Sequence, residues 1–319
     1  MESLELGKIE LYPLADESLG VRSMALGVRT PDTTVLLDAG VSLAPRRFGL
    51  PPHPQEFKAA REARRRIIEF ARRSDIITVS HYHLDHYTPS FTSYYEWSGR
   101  DAFERIYSGK TVLVKKPDTS ISFNQRRRAS VLLKELKELG CKVVNADGTT
   151  VVHGTTVISA YTYSHGLGEP IGEVLVFSVN FENKRIVYAP DVQGPMIEAD
   201  VKRIVSLTPS LLIVGGPPLY LEGFKIDKES VEKGLDNLAL LTLVARVVVS
   251  HHMLRELNWR KRASEKGVWA TSTYAEIIGT GEQLLEAQRR KLFEEDPPSP
   301  AFFRWLNKLK QGELVPPPF

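Results

Sequence analysis

The apolar positions of the chain form short alternating or continuous runs, and these runs predict two successive sets of β-strands. In the first half, strands are predicted at 9–12, 23–28, 34–38, 76–79 and 111–114. In the second half, strands are predicted at 149–160, 173–181, 185–188, 211–214 and 246–250. Turn residues separate the runs, so each half is expected to form a strand-rich unit.

Apolar residues spaced three to four positions apart predict helices that follow or separate these strands. The helices are predicted at 55–73, 124–139, 196–207, 228–244 and 301–309. Two strand-rich halves, each followed by helices, match an α/β protein built as a doubled sandwich. The chain has 319 residues and 42% of them are hydrophobic, so it can bury one large core. We therefore expect a single domain over 1–319.

The charged residues are nearly balanced, with 42 Lys plus Arg against 39 Asp plus Glu and a net charge of +3. A role in nucleic-acid binding would therefore depend on local clusters of basic residues. The predicted helix at 55–73 contains one cluster and the segment at 115–128 contains another: Arg61, Arg64, Arg65, Arg72 and Arg73 in the first, and Lys115, Lys116, Arg126, Arg127 and Arg128 in the second. We expect solvated basic surfaces, with RNA contact or a rim for an anionic substrate as the alternatives.

The N-terminal segment and the single cysteine bear on where the protein works. Residues 1–20 lack a basic start followed by an apolar stretch, and no run of about eighteen apolar residues occurs. The single Cys141 excludes an internal disulfide and is expected to be a buried structural thiol. These features predict a soluble, cytoplasmic protein with no membrane partner, and they leave its oligomeric state open.

Four candidate metal ligands are concentrated in the segment His81-Tyr82-His83-Leu84-Asp85-His86, which follows the predicted strand at 76–79. Three of the eight histidines of the chain lie there. A sharp turn can direct His81 and His83 towards one point and Asp85 and His86 towards a second point nearby. Imidazole and carboxylate ligands without a thiolate suit zinc, and also iron, manganese or nickel. We therefore predict a site for two divalent metal ions.

This segment resembles the signature of the metallo-β-lactamase superfamily. The resemblance implies an αββα four-layer sandwich with a dinuclear metal site at one edge. The later segment Ser250-His251-His252-Met253-Leu254-Arg255 resembles a family of uncharacterised, mainly archaeal, metallo-hydrolase-like proteins within that superfamily. That narrower match covers most of the chain and implies no particular substrate.

A dinuclear site needs more ligands than one loop provides, and three further candidates follow predicted strands. They are His165 after 157–161, Asp191 after 185–188, and His251 or His252 after 246–250. Adjacent side chains point apart, so only one of the last two is expected to bind. We favour His251, because Ser250-His251 follows its strand as Ser80-His81 follows the earlier one.

The resemblance also implies how the ligands divide between the two ions. His81, His83 and His165 would hold the first ion, Asp85, His86 and His251 the second, and Asp191 would bridge both. Asp85 and Asp191 are the predicted catalytic residues, and Asp85 would also orient water or carry a proton. Asp38, in Asp38-Ala39-Gly40, resembles the first motif of the superfamily and would support the metal loop without touching the metal.

The predicted function is hydrolysis by a metal-bound hydroxide, acting on an ester, thioester, lactone, amide or phosphodiester. His83 also favours hydrolysis over redox chemistry, because the flavodiiron branch of the superfamily has a Glu at that position. The sequence does not indicate whether the substrate is a small molecule or a phosphodiester. One alternative is an RNA- or DNA-processing nuclease of the same superfamily, and another is a non-catalytic metal- or ligand-binding protein.

Two segments outside the ligand motifs are given separate roles. The segment at 87–130 is expected to flank the substrate cleft, and the aromatic residues at 87–107 could form either a lid or part of the core. The tail at 297–319 is expected to be a docking segment. The remaining histidines, His53 and His153, are expected to be an exposed loop residue and a turn residue.

Overall fold

The computed structural model describes residues 2–168 and 171–319, and it contains two seven-stranded β-sheets within them. The first sheet contains β1 (Leu4–Leu6), β2 (Ile9–Asp16), β3 (Met24–Arg29), β4 (Thr34–Leu37), β5 (Ile76–Val79), β6 (Thr111–Val114) and β7 (Lys142–Asn145). The second sheet contains β8 (Thr150–His153), β9 (Thr156–Ser164), β10 (Glu173–Phe181), β11 (Lys184–Ala189), β12 (Leu211–Gly215), β13 (Arg246–Ser250) and β14 (Thr271–Ser272).

The two sheets share one topology. In the first, β1 to β4 pair antiparallel, and β4 to β7 pair parallel. In the second, β8 to β11 pair antiparallel, and β11 to β14 pair parallel. The predicted strand at 149–160 is wrong as a single strand, because Gly154 adopts a φ of 56° and turns the chain between β8 and β9.

The helices cover the outer faces of the sheets. They are α1 (Pro54–Ala71), α2 (Arg100–Tyr107), α3 (Phe123–Glu138), α4 (Glu198–Ser206), α5 (Lys228–Thr242), α6 (Trp259–Glu265), α7 (Tyr274–Ile277), α8 (Arg289–Glu295) and α9 (Pro300–Lys310). The five predicted helices are present with ends shifted by at most two residues, whereas α2, α6, α7 and α8 were not predicted. Among these helices, none combines the length and the apolar character that crossing a membrane requires.

Three buried apolar clusters define the layers. One joins the facing sides of the two sheets and includes Leu37 of β4 and Phe177 of β10. A second lies between the first sheet and helices α1, α2, α3 and α9, and includes Phe57. A third lies between the second sheet and helices α4, α5 and α6, and includes Leu238 and Trp259. The order helix, sheet, sheet, helix confirms the predicted αββα four-layer sandwich.

The aromatic residues at 87–107 belong mainly to the core. Tyr87, Phe103 and Tyr107 are buried in the cluster between the first sheet and its helices, whereas Phe91 is 51% exposed. The tail also contacts this cluster, because the ring of Trp305 in α9 packs edge-on against Phe57 of α1 at 5.1 Å between centroids. The tail therefore docks on its own chain, and the cleft-flanking role of 87–130 stays a prediction.

Three polar residues that were expected at the surface are buried. Arg64 lies in the same helical stripe as Phe57 and donates to the backbone oxygen of Ala39 at 2.8 Å. Lys115 pairs with Asp147 and Glu173. His53 caps α1, and its Nε2 lies 2.8 Å from the backbone oxygen of Asp296. Apart from the helix cap made by His53, these partners come from distant segments, so the local polarity of the sequence did not indicate burial.

Candidate metal centre

The predicted site residues lie where several strands end at one edge of the sandwich. Asp38 follows β4, the loop at 80–86 follows β5, His165 follows β9, Asp191 follows β11 and His251 follows β13. Parallel strands place their carboxyl ends at the same edge of a sheet, which explains why residues from both halves of the chain meet here. Three of them turn the backbone into the left-handed region, with φ of 49° at Asp38, 46° at Asp191 and 61° at His251. Such strain in non-glycine residues is typical of functional sites.

Gly40 allows the loop at 80–86 to lie close to the end of β4. A Cβ atom at this position would lie 2.2 Å from the backbone carbon of Asp85 and 2.2 Å from the backbone nitrogen of His86. Both are backbone atoms and cannot rotate away as a side chain could. The loop can therefore occupy its position only because residue 40 has no side chain.

The first set of candidate ligands comprises His81, His83, His165 and Asp191. His81 Nε2 lies 3.0 Å from His83 Nδ1 and 3.2 Å from Asp191 Oδ2. His165 Nε2 lies 3.3 Å from the same carboxylate oxygen, and His83 Nδ1 lies 3.8 Å from it. Three ring nitrogens and one carboxylate oxygen therefore converge on one small volume.

The second set comprises Asp85, His86 and His251. His251 Nε2 lies 3.4 Å from His86 Nε2, 3.5 Å from Asp85 Oδ2 and 3.1 Å from Asp191 Oδ1. Asp191 thus directs one carboxylate oxygen towards each set. This arrangement can bridge two cations, as the sequence predicted for Asp191.

The spacing of these atoms fits metal coordination. Ligands about 2.1 Å from a tetrahedral zinc lie about 3.4 Å from one another, and most of the separations above fall close to that value. Among the described residues, Asp191 Oδ1 and His165 Nδ1 are buried without a hydrogen-bond partner. Buried polar atoms are rarely left unsatisfied, so the unpaired Asp191 Oδ1 fits a site that a cation would complete.

Asp38 holds the metal loop from behind. Its Oδ1 accepts from the backbone N–H of Ser80 at 2.8 Å, and its Oδ2 lies 2.8 Å from His86 Nδ1 and accepts from the Tyr188 hydroxyl at 3.1 Å. The Ser80 hydroxyl also donates to Asp38, which leaves its oxygen to accept from His81 Nδ1 at 3.1 Å. Protons at the Nδ1 atoms of His81 and His86 leave both Nε2 lone pairs free for a metal.

Glu17 performs the same task for His251 and was missed in the sequence. Its carboxylate lies 3.0 Å from His251 Nδ1 and also accepts from Arg255 Nε at 2.7 Å. A carboxylate behind the far ring nitrogen fixes the tautomer and makes the near nitrogen a better ligand. Glu17 follows β2 directly, and this position was not recognised because the strand was predicted to end at Tyr12.

His252 has different hydrogen-bond partners. Its Nδ1 lies 3.1 Å from the Tyr220 hydroxyl and 3.2 Å from Arg255 Nη1. An arginine only donates, so His252 Nδ1 must accept and its proton must lie on Nε2. That N–H faces Asp191 Oδ1 at 3.5 Å. Both histidines lie close enough to Asp191 to be candidate ligands, and Arg255 also lies 3.2 Å from His251 Nδ1. The Glu17 carboxylate behind His251 is the contact that favours His251 as the ligand.

The electrostatics of the cluster suit a cation. Burial alone would raise the pKa of Asp191, but the nearby His251, His86 and His252 outweigh it and hold the pKa well below the ordinary range. Burial, together with neighbouring His86, lowers the pKa of His81 well below its ordinary value. At neutral pH these groups are a carboxylate and a neutral imidazole, the forms that bind metals. Burial would lower the pKa of His251, but Glu17 and Asp191 raise it to about 10, so this position favours positive charge.

The structure brings all the predicted metal and catalytic residues together at one edge, with Asp38 behind them. Their roles as ligands stay predictions. The basic clusters on which the nuclease alternative depended are weaker than expected, because Arg64 and Lys115 are buried and bonded within the chain.

Comparison with known proteins places the chain among relatives of similar length. A UPF0282 protein of Pyrobaculum arsenaticum is 43% identical over 300 residues, which is 91% of this chain and 95% of the relative. The chain belongs to the UPF0282 family. Another UPF0282 protein, from Thermococcus kodakarensis, is 36% identical over 98% of this chain and 99% of its own length. No family model matches the chain.

One solved structure supports the fold of this UPF0282 chain, and a second is similar over most of its length. The metallo-β-lactamase fold protein YhfI from Bacillus subtilis matches with a TM-score of 0.50 and 13% identity, over 83% of this chain and 96% of its own. An isothiocyanate hydrolase from Delia radicum gut bacteria matches with a TM-score of 0.49 and 12% identity, over 80% and 94%. The chain therefore has the metallo-β-lactamase fold, as the sequence predicted.

Proposed function

We propose that this chain is a metal-dependent hydrolase that holds two divalent cations at the edge of its sandwich. The observation that supports it most strongly is the convergence of seven side chains into two adjoining sets, with Asp191 directed at both. Zinc suits this donor set of imidazole and carboxylate groups best, and iron, manganese and nickel are the alternatives that metal analysis would separate.

The contacts of each residue support a division of roles. His81, His83 and His165 would hold one ion, Asp85, His86 and His251 the other, and Asp191 would bridge them. When bound, two such ions lower the pKa of a shared water towards neutrality and polarise the oxygen of a substrate. Asp85 lies 3.5 Å from both His251 Nε2 and Arg255 Nη2. Burial by itself would raise the pKa of Asp85, but the nearby His86, His251 and Arg255 outweigh burial and lower it, so Asp85 stays an ionised carboxylate that can bind a cation or accept a hydrogen bond from water.

His252 would contribute a donated hydrogen bond. Its Nε2–H is directed at the same carboxylate that bridges the two sets, and its side chain is 12% exposed, unlike the fully buried His251. A donor at the open side of such a site can stabilise charge that develops on a substrate oxygen. This role agrees with any substrate in the predicted range, namely an ester, thioester, lactone, amide or phosphodiester.

The two adjacent histidines should respond differently to substitution. His251→Leu should remove one of the two bound ions, because it deletes a ligand. His252→Leu should keep both ions and lower kcat about a hundredfold, because it deletes only a donor. Metal content per chain and steady-state kinetics measure the two effects. Loss of an ion from His252→Leu but not from His251→Leu would reverse the assignment.

A direct test combines metal analysis with a substrate panel. Protein purified without chelators should contain about two divalent ions per chain. It should turn over at least one member of a panel that includes an aryl ester, an acyl thioester, a lactone, an amide, an aryl phosphodiester and a structured RNA. Chelator-treated protein is the control, and added zinc should restore its activity. Bound metal without turnover on any of these substrates would favour a non-catalytic binding protein instead.

A further inference from the structure

A concave site lies on the outside of the first helical layer, between α1, α2 and the chain at 92–99. Its volume is about 740 Å³, within the range of pockets that bind small molecules. None of the ligand residues of the metal centre lines it. This cavity is therefore separate from the proposed hydrolytic site.

The cavity carries an excess of positive charge. Six arginines and three acidic residues line it. The acidic residues are already paired, since Glu62 and Glu69 bind Arg65 and Asp101 binds Arg105. Three further arginines of α1 and its C-terminal end are exposed and have no carboxylate partner within the described parts of the chain: Arg61, Arg72 and Arg73.

Aromatic rings lie beside these unpaired charges. Trp97 and Tyr94 both line the cavity and contact each other at 5.4 Å between ring centroids. The Arg61 guanidinium lies over the Trp97 ring at 5.8 Å. Trp97 also has a φ of 44°, a left-handed conformation that is strained for a bulky residue. Strain of this kind is retained where a side chain must hold a particular position.

A buried arginine makes the wall of the cavity rigid. Arg64 Nε donates to the backbone oxygen of Trp97 at 3.1 Å, and Arg64 Nη2 donates to that of Glu96 at 3.0 Å. The same guanidinium reaches Ala39 and Thr88 through Nη1. The turn that carries Trp97 is thus held before any ligand arrives, which lowers the entropic cost of binding.

We propose that this cavity binds a nucleotide, an organic phosphate that carries an aromatic ring. Unpaired arginines bind phosphate oxygens through charge-assisted and often bidentate hydrogen bonds. The rings of Trp97 and Tyr94 provide a stacking surface for a base. A basic helix face that only contacts solvent would need neither the concave shape nor the aromatic wall. The volume of the cavity suits one nucleotide.

Calorimetric titration of the full-length protein with ATP, AMP and inorganic phosphate, all in excess EDTA, tests this proposal. ATP should bind saturably and more tightly than phosphate. The double variant Arg61→Gln/Arg73→Gln should weaken ATP binding about a hundredfold. Trp97→Leu should weaken it about tenfold and leave phosphate binding unchanged, which also shows that the variant is folded. The matched control Arg246→Gln/Arg304→Gln removes two exposed arginines outside the cavity and should bind ATP as the wild type does.

Four outcomes would overturn the proposal. The first is the absence of saturable binding by either nucleotide. The second is an equal loss of affinity in both double variants, which would indicate a general charge effect. The third is ATP binding that appears only when EDTA is left out, which would assign the ligand to the metal centre. The fourth is tighter binding of a single-stranded RNA oligonucleotide than of ATP with the same dependence on Arg61 and Arg73, which would indicate a nucleic-acid surface.

Discussion

Replacing Asp191 by asparagine is expected to reduce the metal content from about two ions per chain to at most one. Hydrolytic turnover should fall about a thousandfold, because a bridging carboxylate supplies about 4 kcal/mol or more to such a site. Asparagine keeps the size of the side chain but offers one neutral oxygen where Asp191 directs Oδ2 at His81 and Oδ1 at His251. Elemental analysis of purified protein and kinetics on the substrate from the panel measure the two effects.

The matched control is Asp75→Asn at the opposite end of β5. Asp75 also accepts hydrogen bonds, from Thr33 at 3.0 Å and from the backbone of Thr34 at 2.9 Å, but lies at the start of the strand that carries the metal loop. This variant should keep both ions and its activity. Two ions in the Asp191→Asn protein, with turnover like that of the wild type, would show that the carboxylate does not bridge metals.

Gly40→Ala is expected to have the second largest effect, although residue 40 touches no ligand atom. Its Cβ would lie 2.2 Å from the backbone of Asp85 and His86, so the loop must move by roughly 1 Å to restore ordinary contact. We expect the free energy of unfolding to fall by about 3 kcal/mol. Zinc affinity should fall about a hundredfold, because the displaced loop carries His86 and Asp85.

Thermal unfolding and zinc titration of Gly40→Ala should be compared with Gly281→Ala. Gly281 lies in open space and its φ is outside the left-handed region, so alanine fits there without strain. Unfolding in EDTA isolates the steric cost, and unfolding with zinc adds the loss of metal binding. If Gly40→Ala matches Gly281→Ala in both conditions, the close approach of the metal loop to β4 does not constrain the site.

The strand pattern and the order of the ligands could be predicted because both are local. The runs at 111–114, 173–181 and 246–250 are strands with these same ends in the structure. Histidines and aspartates that directly follow a strand must emerge at its carboxyl end, and parallel pairing then brings those ends to one edge. Predicting the strands needs only neighbouring residues, and placing the ligands at one edge needs only the fold class in addition.

The supporting residues could not be predicted in the same way. Glu17 and His251 are separated by 234 positions, and no local pattern joins them. Arg64 was expected on a solvated face because arginine is usually exposed, yet four oxygens from three separate segments receive its hydrogen bonds. Its burial depends on acceptors that only the folded chain brings within reach.

The sequence alone determined the fold class and the residue types of the candidate metal centre, because apolar periodicity and strand-end histidines are encoded within a few neighbouring positions. Tertiary structure decided which hydrogen-bond partners surround His251 and His252. The two are identical in type and adjacent in sequence, and Arg255 contacts Nδ1 of both, but His251 Nδ1 also faces the Glu17 carboxylate whereas His252 Nδ1 faces the Tyr220 hydroxyl. The proton of an imidazole follows its hydrogen-bond partner, and those partners come from distant parts of the chain.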